Sequence, residues 1–493
     1  MMVKSMFQKV LNKYKNLPVQ IRASLWFLIA SFLQKGISAI TTPIFTRLLS
    51  TDEFGQYNVF NSWFSIISIV VSLYLYGGFY ITGLVQHEEK RAQFSSAMLG
   101  LTTCLTAGWT VIYILFRTFW NQLFNLTTVQ MLAMLIMIWA SAIFQFWAME
   151  QRVDLKYKGL IILTLIVSIL QPFVGIILVI NAEDKVTARI LGLAIVDLVG
   201  YAGCFIAQML RGKCFFVKEY WKEALMFAIP VVPHYLSTMV LSGADKIMIK
   251  NLVSDSAAGI YSLAYSISLM MTLFNTALSQ TVDPWIYTQI RVKKIDNLGR
   301  VAYPAFLFIA SVNAVVIVFA PEIIRIFAPI TYYEAIWVIP PVTMSVFFMF
   351  MYSFFAPFEF FYKKTKFIAI ATCVGAALNI ILNYIFIQMY GYVAAGYTTL
   401  FCYIIYTLFH FLFMKKICKE EMKAEVPYDI KILIAISIGF IVIGFAMMST
   451  YNYPIIRYVI ILAIIVSIIV FRKKLIDAGK KIMQVRKNAS TMQ

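Results

Sequence analysis

Apolar residues in this chain neither alternate with polar ones nor recur in short stripes; they run together. Residues 57–86, 92–116, 118–149 and 256–282 hold no Asp, Glu, Lys or Arg, and residues 367–414 form a single uncharged run. About 20 helical residues cross the roughly 30 Å hydrocarbon layer of a bilayer. Each of the first four runs is therefore long enough for a spanning helix, and the fifth must be divided, at Met389-Tyr390-Gly391. Barrel strands need only about 9–11 alternating residues, whereas a helix satisfies every backbone group within its own segment. The pattern predicts an all-α integral membrane protein with 14 transmembrane helices, near residues 23–46, 58–84, 93–116, 128–148, 159–180, 189–210, 225–244, 257–281, 301–320, 335–356, 367–388, 393–414, 432–450 and 455–471.

Charge tests that count independently. Of the 42 Lys and Arg, 33 fall in alternate segments that begin with the N-terminus, eight fall in the segments between, and Lys35 lies within a span. Cytoplasmic loops are enriched in Lys and Arg, and a wrong count would scramble the alternation from that point onward. Both termini are expected inside. The composition agrees, with 61% hydrophobic and 13% charged residues, far from a soluble domain. The net charge of +19 then reads as a topology signal plus attraction to anionic membrane lipids, with no nucleic acid as partner.

Residues 1–17 place Val3, Met6, Phe7, Val10, Leu11, Tyr14 and Leu17 at helical spacing between lysines, the pattern of an interfacial helix; a frayed basic tail is the alternative. The six cysteines show no C-x-x-C and the three histidines no zinc spacing, so neither a disulfide framework nor a metal is expected. No glycine loop followed by Lys is present to cradle a nucleotide phosphate. No cofactor is expected; a proton or sodium gradient, a partner, or the substrate's own concentration must drive any transport.

The chain also repeats itself. R-L-L-S-T-D-E-F-G-Q-Y (47–57) returns as K-N-L-V-S-D-S-A-A-G-I-Y (250–261), at an offset of 203 to 204 that also carries Gly192 onto Gly396. Two similar halves in a membrane protein are usually arranged to move something between them.

Charge inside the membrane is the remaining clue, since such residues cost about 2.5–3.5 kcal/mol on insertion scales and normally face a cavity or a partner. Lys35 lies about 18 Å along the first span from Ala23, near the midplane. Asp197 has a comparable depth in the sixth span. Either the two pair and pin their helices, or Lys35 lines a wet cavity and meets a phosphate. Arg47, Asp245, Lys246 and Lys250 sit near the outer ends of the first helix of each half, where they either anchor at headgroups or build an ionic gate. Pro43 in the first span, and Pro230 and Pro233 in the seventh, break the backbone ladder and predict kinks. Asn379 and Asn383, one turn apart, are expected to bond neighbouring helices.

At these residues the sequence resembles a family. The stretch S-L-W-F-L-I-A-S-F-L-Q-K-G-I-S-A-I-T-T-P-I-F-T-R-L-L-S-T-D-E-F-G-Q-Y from Ser24, the stretch A-I-P-V-V-P-H-Y-L-S-T-M-V-L-S-G-A-D-K-I-M-I-K with A-G-I-Y-S-L-A-Y after it, and K-K-T-K-F-I-A-I-A-T-C-V-G-A-A-L-N-I-I-L-N-Y-I-F-I with Y-G-Y-V-A-A-G-Y are similar to blocks of bacterial polysaccharide transporters. These are the O-antigen-type oligosaccharide flippases of the superfamily that also holds multidrug extruders and lipid II flippases. The resemblance implies two pseudo-symmetric six-helix bundles around a central cavity, at 23–210 and 225–414, joined by a linker at 211–224. A cytoplasmic loop at 415–431, two extra helices at 432–471 and a basic tail at 472–493 would follow.

It also implies an undecaprenyl-pyrophosphate-linked oligosaccharide as substrate, with Lys35 and Arg47 lining the positive cavity, and a polysaccharide polymerase and chain-length machinery as partners. The bacterial cytoplasmic membrane is the implied location. A cation-coupled multidrug antiporter of the same superfamily and a membrane glycan polymerase or acyltransferase are the other readings. Neither catalytic His or Asp clusters nor a large outer loop favours an enzyme.

Overall fold

A computed structural model describes residues 19–463 and 466. The predicted interfacial segment 1–17, the end of the last span and the basic tail lie outside these residues. The chain divides by contact density into two compact units, one of residues 1–49 and 60–236 and the other of 50–59 and 237–493. The division falls at Leu236/Ser237, inside a continuous helix.

The first unit holds α1 (Val19–Leu48), most of α2 (Thr51–Ser72), α3 (Gly78–Gln86), α4 (Arg91–Leu115), α5 (Arg117–Phe124), α6 (Thr128–Val153), α7 (Tyr157–Ile180), α8 (Lys185–Gly212) and the first half of α9 (Lys218–Leu252). Helix α8 is its centre, packed by α4, α6 and α7, with α1 on α7. Helix starts are chemically marked. Thr127 and Gln130 form a reciprocal capping box at α6, and the Asp184 carboxylate accepts from the Thr187 N–H at α8, each satisfying amides a helix start leaves without partners. A buried aromatic nucleus of Tyr80, Phe94 and Phe146 fills the core, and the Tyr80 hydroxyl bonds Ser95 Oγ at 2.7 Å, as a phenol taken out of water requires.

The second unit holds α10 (Asp255–Leu269), α11 (Thr272–Arg291), α12 (Leu298–Val318), α13 (Ala320–Phe327), α14 (Ile339–Tyr352), α15 (Ala356–Phe361), α16 (Thr365–Tyr390), α17 (Ala394–Ile417), α18 (Ile430–Ser449) and α19 (Pro454–Ala463). Helix α14 is the hub, against α10, α12, α17 and α18. Phe306, Phe347, Phe350 and Phe354 form its fully buried seam. The last two helices are tied on by polar contacts as well: Arg457, 2% exposed, meets Glu322, and the Tyr451 hydroxyl donates to the Ile317 carbonyl at 2.5 Å.

Among the described residues, 11 helices are long and apolar enough to cross a membrane, or 12 if the pair Ile330–Trp337 and Ile339–Tyr352, bent by 50°, is one span. This is a multi-pass helical membrane protein, and the count of 11 falls short of 14 at three places, one of them the bent pair at the predicted span 335–356. The second predicted span, 58–84, is broken at 73–77, where Leu73 and Tyr74 both take φ of 50°. A left-handed conformation is costly for residues with a Cβ, and an apolar window cannot register it. The last predicted span, 455–471, continues past the described residues.

Candidate functional site

The first span is laid out in two opposing stripes. Ser31, Lys35, Ser38 and Thr42 follow at i, i+4, i+7 and i+11, within roughly 60° of arc at about 100° per residue. The opposite side carries Ile29, Leu33, Ile40 and Ile44, all exposed as a lipid-facing surface requires. Lys35 is exposed on the polar stripe. The hydroxyls of Ser31 and Thr42 donate to the carbonyls one turn back, at 2.9 and 2.7 Å, which removes their donors and leaves outward acceptors. Between the stripes Gln34 Nε2 donates to Ser168 Oγ at 3.1 Å, locking α1 to α7. Gly36, next to Lys35, has nothing within 4 Å of where a Cβ would stand.

Lys35 and Asp197 form no ion pair in this structure. Asp197, 4% exposed in α8, accepts instead from Gln171 Nε2 at 2.7 Å. The Gln171 carbonyl takes the Arg189 guanidinium at 3.2 Å, and that guanidinium lies 3.7 Å from the centre of the Phe45 ring. The acid is therefore satisfied by an amide on the neighbouring helix, while Lys35 points off another face of α1.

The outer-end charges separate into distinct environments. Arg47 donates to the Pro43 carbonyl of its own helix at 2.8 Å. Asp245, 1% exposed, accepts from the Lys246 amide at 2.8 Å and from the Tyr261 hydroxyl at 2.5 Å. The Lys246 ammonium sits 4.6 Å from the Tyr265 ring centre, and Lys250 pairs with Asp255 at 3.5 Å. Pro43 lies within α1, and Pro230 and Pro233 lie within α9; each removes a backbone donor, yet both helices run on through them.

The sequence repeat has its physical basis in the glycines. Gly55 and Gly259, 204 positions apart, face each other within the second unit. A Cβ on Gly55 would stand 1.9 Å from the Asp255 carbonyl oxygen, and one on Gly259 would stand 2.1 Å from the Thr51 carbonyl oxygen. Thr51 and Asp255 are themselves 204 apart, so the contact is its own mirror under the repeat. Ser256 Oγ donates to Thr51 Oγ1 at 2.8 Å and Gln56 Nε2 to Asp255 Oδ2 at 3.1 Å. The cations Arg47 and Lys250, equivalent in the alignment, bond the Pro43 carbonyl and the Asp255 carboxylate respectively. Of Gly192 and Gly396, the first packs on Gly175 of α7, the second on Pro341 of α14.

Interruptions also recur. The second helix of each half is broken, at 73–77 and at Met270–Met271, and discontinuous helices in corresponding positions of two halves point to a transport site.

The profile of the polysaccharide biosynthesis protein family matches residues 21–288. The chain belongs to that family. A Haemophilus influenzae member of the curated proteins, Lsg locus putative protein 1, is 22% identical over 377 residues, 70% of this chain and 86% of that one. Among solved structures, lipid II flippase MurJ in an inward closed conformation superposes with a TM-score of 0.68 at 18% identity, covering 92% of this chain and 99% of that chain. A MATE family multidrug resistance transporter of the MOP superfamily, inward-facing, gives 0.58 at 13% identity, covering 78% and 96%. The polysaccharide biosynthesis protein therefore shares the fold of both.

One feature of this family member escaped the sequence reading. Glu359 and His410 form a buried pair at 2.7 Å; the lone carboxylate in P-F-E-F-F was a visible signal, but it fell three residues past a predicted span. Of Asn379 and Asn383, expected to bond neighbouring helices, Asn383 Oδ1 takes the Thr398 hydroxyl from α17, while Asn383 Nδ2 donates within its own helix to Asn379 Oδ1 at 3.1 Å.

Proposed function

We propose that this protein is a flippase that carries undecaprenyl-pyrophosphate-linked oligosaccharide repeat units from the inner to the outer leaflet of the bacterial cytoplasmic membrane, by alternating access, for surface polysaccharide biosynthesis. The observation that carries the reading is the polar stripe of α1. An ammonium exposed halfway along an apolar helix is costly in hydrocarbon, and flanking hydroxyls with free acceptor positions suit a wet path for a phosphorylated glycan. Lys35 supplies the cation for the pyrophosphate and Arg47 a second near the outer end. Asp245, Lys246 and Lys250 belong to the gate, and the polyprenyl tail stays in lipid. Membership in the polysaccharide biosynthesis family supports a glycan substrate over a drug.

No covalent bond changes, so no catalytic group is invoked. A proton or sodium gradient drives the cycle, both termini are cytoplasmic, and a polymerase with its chain-length machinery receives the product. Deleting the gene tests the whole reading. Loss of surface polysaccharide with accumulation of lipid-linked units on the inner leaflet is expected; intact surface glycan in a strain without a redundant transporter would refute it, and drug hypersensitivity alone would favour the multidrug antiporter.

A further inference from the structure

The most enclosed acid–histidine pair among the described residues lies in the second unit. Glu359 of α15 and His410 of α17 are 0% and 1% exposed, with Oε1 and Nδ1 2.7 Å apart. Their outer atoms, Glu359 Oε2 and His410 Nε2, are buried and have no hydrogen-bond partner among the described residues. Buried polar atoms are nearly always satisfied, and exceptions call for an explanation. A pair whose only task was to pin α15 to α17 would need neither open position.

The surroundings are aromatic. The Tyr352 ring stacks on the imidazole at 5.2 Å and Tyr406 meets it edge-on at 4.4 Å. From the elements packed around the pair, the titratable groups are Tyr352 of α14, Tyr406 of α17, whose neighbour on α16 is Thr372, and Asp283 of α11, which acts on Tyr352 from its far side. No lysine or arginine stands among them to fix the charge of the pair.

In such a setting the number of bound protons is dictated by charge. With one proton the pair is neutral overall, either as imidazolium and carboxylate or as imidazole and carboxylic acid. With none, a bare carboxylate is left in an apolar core, and with two, a bare imidazolium; either is strongly disfavoured if unpaired. The site thus holds one proton firmly while dry and can release it only when water enters. Its location suits that event. Helix α15 is six residues long, with turns at 353–355 and 362–363, and the exposed Lys363 with a left-handed φ of 55° follows Glu359 by one turn. A small movement of α15 would wet the carboxylate.

We propose that Glu359 and His410 together form a proton-binding site of the second unit, loaded when the site is dry and unloaded to water when α15 moves. The balance is simple: a hydronium on one side delivers a proton to the pair, and a water on the other side removes it. That this proton drives export rests on the flippase reading; that the pair binds and releases it does not.

The chain has only three histidines, so histidine-labelled protein in lipid nanodiscs gives three ring signals by magic-angle-spinning NMR, and His410→Asn assigns the one of interest. The proposal expects the His410 ring signal to respond to pH in the wild-type protein and the response to differ in Glu359→Gln. A signal that does not respond to pH, or an identical response in E359Q, would overturn it. If E359Q does not fold, Glu359→Asp is expected to alter the response to a smaller degree, and an unaltered response there is equally fatal. In vesicles with an imposed pH gradient, translocation of lipid-linked oligosaccharide should respond to the gradient in the wild type and not in E359Q. Normal titration in a wild type that moves no lipid-linked glycan supports the proton site while refuting the flippase reading.

Discussion

Replacing Gly55 by Ala sets two effects against each other, and the structure decides the winner. In the interior of a helix Ala is favoured over Gly by about 0.8–1.0 kcal/mol. Against this, the new Cβ would stand 1.9 Å from the Asp255 carbonyl oxygen and 2.8 Å from the Gly259 nitrogen. Ordinary contact begins near 3.4 Å, so α2 and α10 must separate by about 1.5 Å, and both obstacles are backbone atoms that cannot rotate away. Overpacking of this kind costs typically about 1–3 kcal/mol, and the separation also stretches the Ser256–Thr51 and Gln56–Asp255 bonds. Net destabilisation of about 1–2 kcal/mol is expected for G55A, and similarly for G259A. At Gly108 and Gly439, helical positions with nothing within 4 Å, the same substitution should be neutral or stabilising. Thermal unfolding of the purified variants in one detergent reads all four. The double variant adds a sharper test. Once the first methyl has parted the helices the second finds room, so the combined cost should fall short of the sum by about 1 kcal/mol. Equal stability of G55A and G439A, or strict additivity of G55A and G259A, would refute a direct backbone contact here.

Lys35→Gln is expected to lower export of lipid-linked glycan about tenfold or more, on the scale of a hydrogen bond to a charged group, with Lys35→Arg retaining most of it; a surface-polysaccharide assay in the deletion strain measures both, and full activity of K35Q removes the cation from the path. Asp245→Lys should impair export more than Arg117→Ala, because it leaves the Tyr261 hydroxyl without its acceptor and places two ammonium groups side by side, whereas Arg117 is exposed at the start of α5; equal effects would discard the gate. Asp283, half-buried beyond the end of the eighth span at Gln280, has its carboxyl pushed up to about 6 by burial. Its contribution is therefore favourable below about pH 4 and is lost as pH rises through about 6, so Asp283→Asn should raise the unfolding temperature at pH 7.5 and leave it unchanged at pH 4; the gain is reduced by partial solvent screening, and a loss at pH 7.5 would contradict the sign.

How much of this was legible in the chain depended on which physical signal each feature leaves. Long apolar runs report helices, and the glycines of the repeat were visible because only glycine permits the α2–α10 approach. Hydropathy is blind to backbone dihedrals, so the break at Leu73 and Tyr74 was hidden inside an apolar stretch. Reasoning from charge alone joined Lys35 to Asp197, since opposite charges attract; it had no means to weigh Gln171, an uncharged donor on the preceding helix and 2.7 Å away in space. Glu359 was overlooked because a carboxylate just past a span reads as a loop residue, and only the fold shows that the loop is a short buried helix.

The contact between Gly55 and Gly259 is self-complementary, since Thr51 faces Gly259 as Asp255 faces Gly55. Contacts of that symmetry are the ones by which identical subunits associate. A single ancestral half could have made it with a second copy of itself, and joining two copies end to end would have kept the seam while freeing the residues around it, Arg47 and Lys250 among them, to diverge.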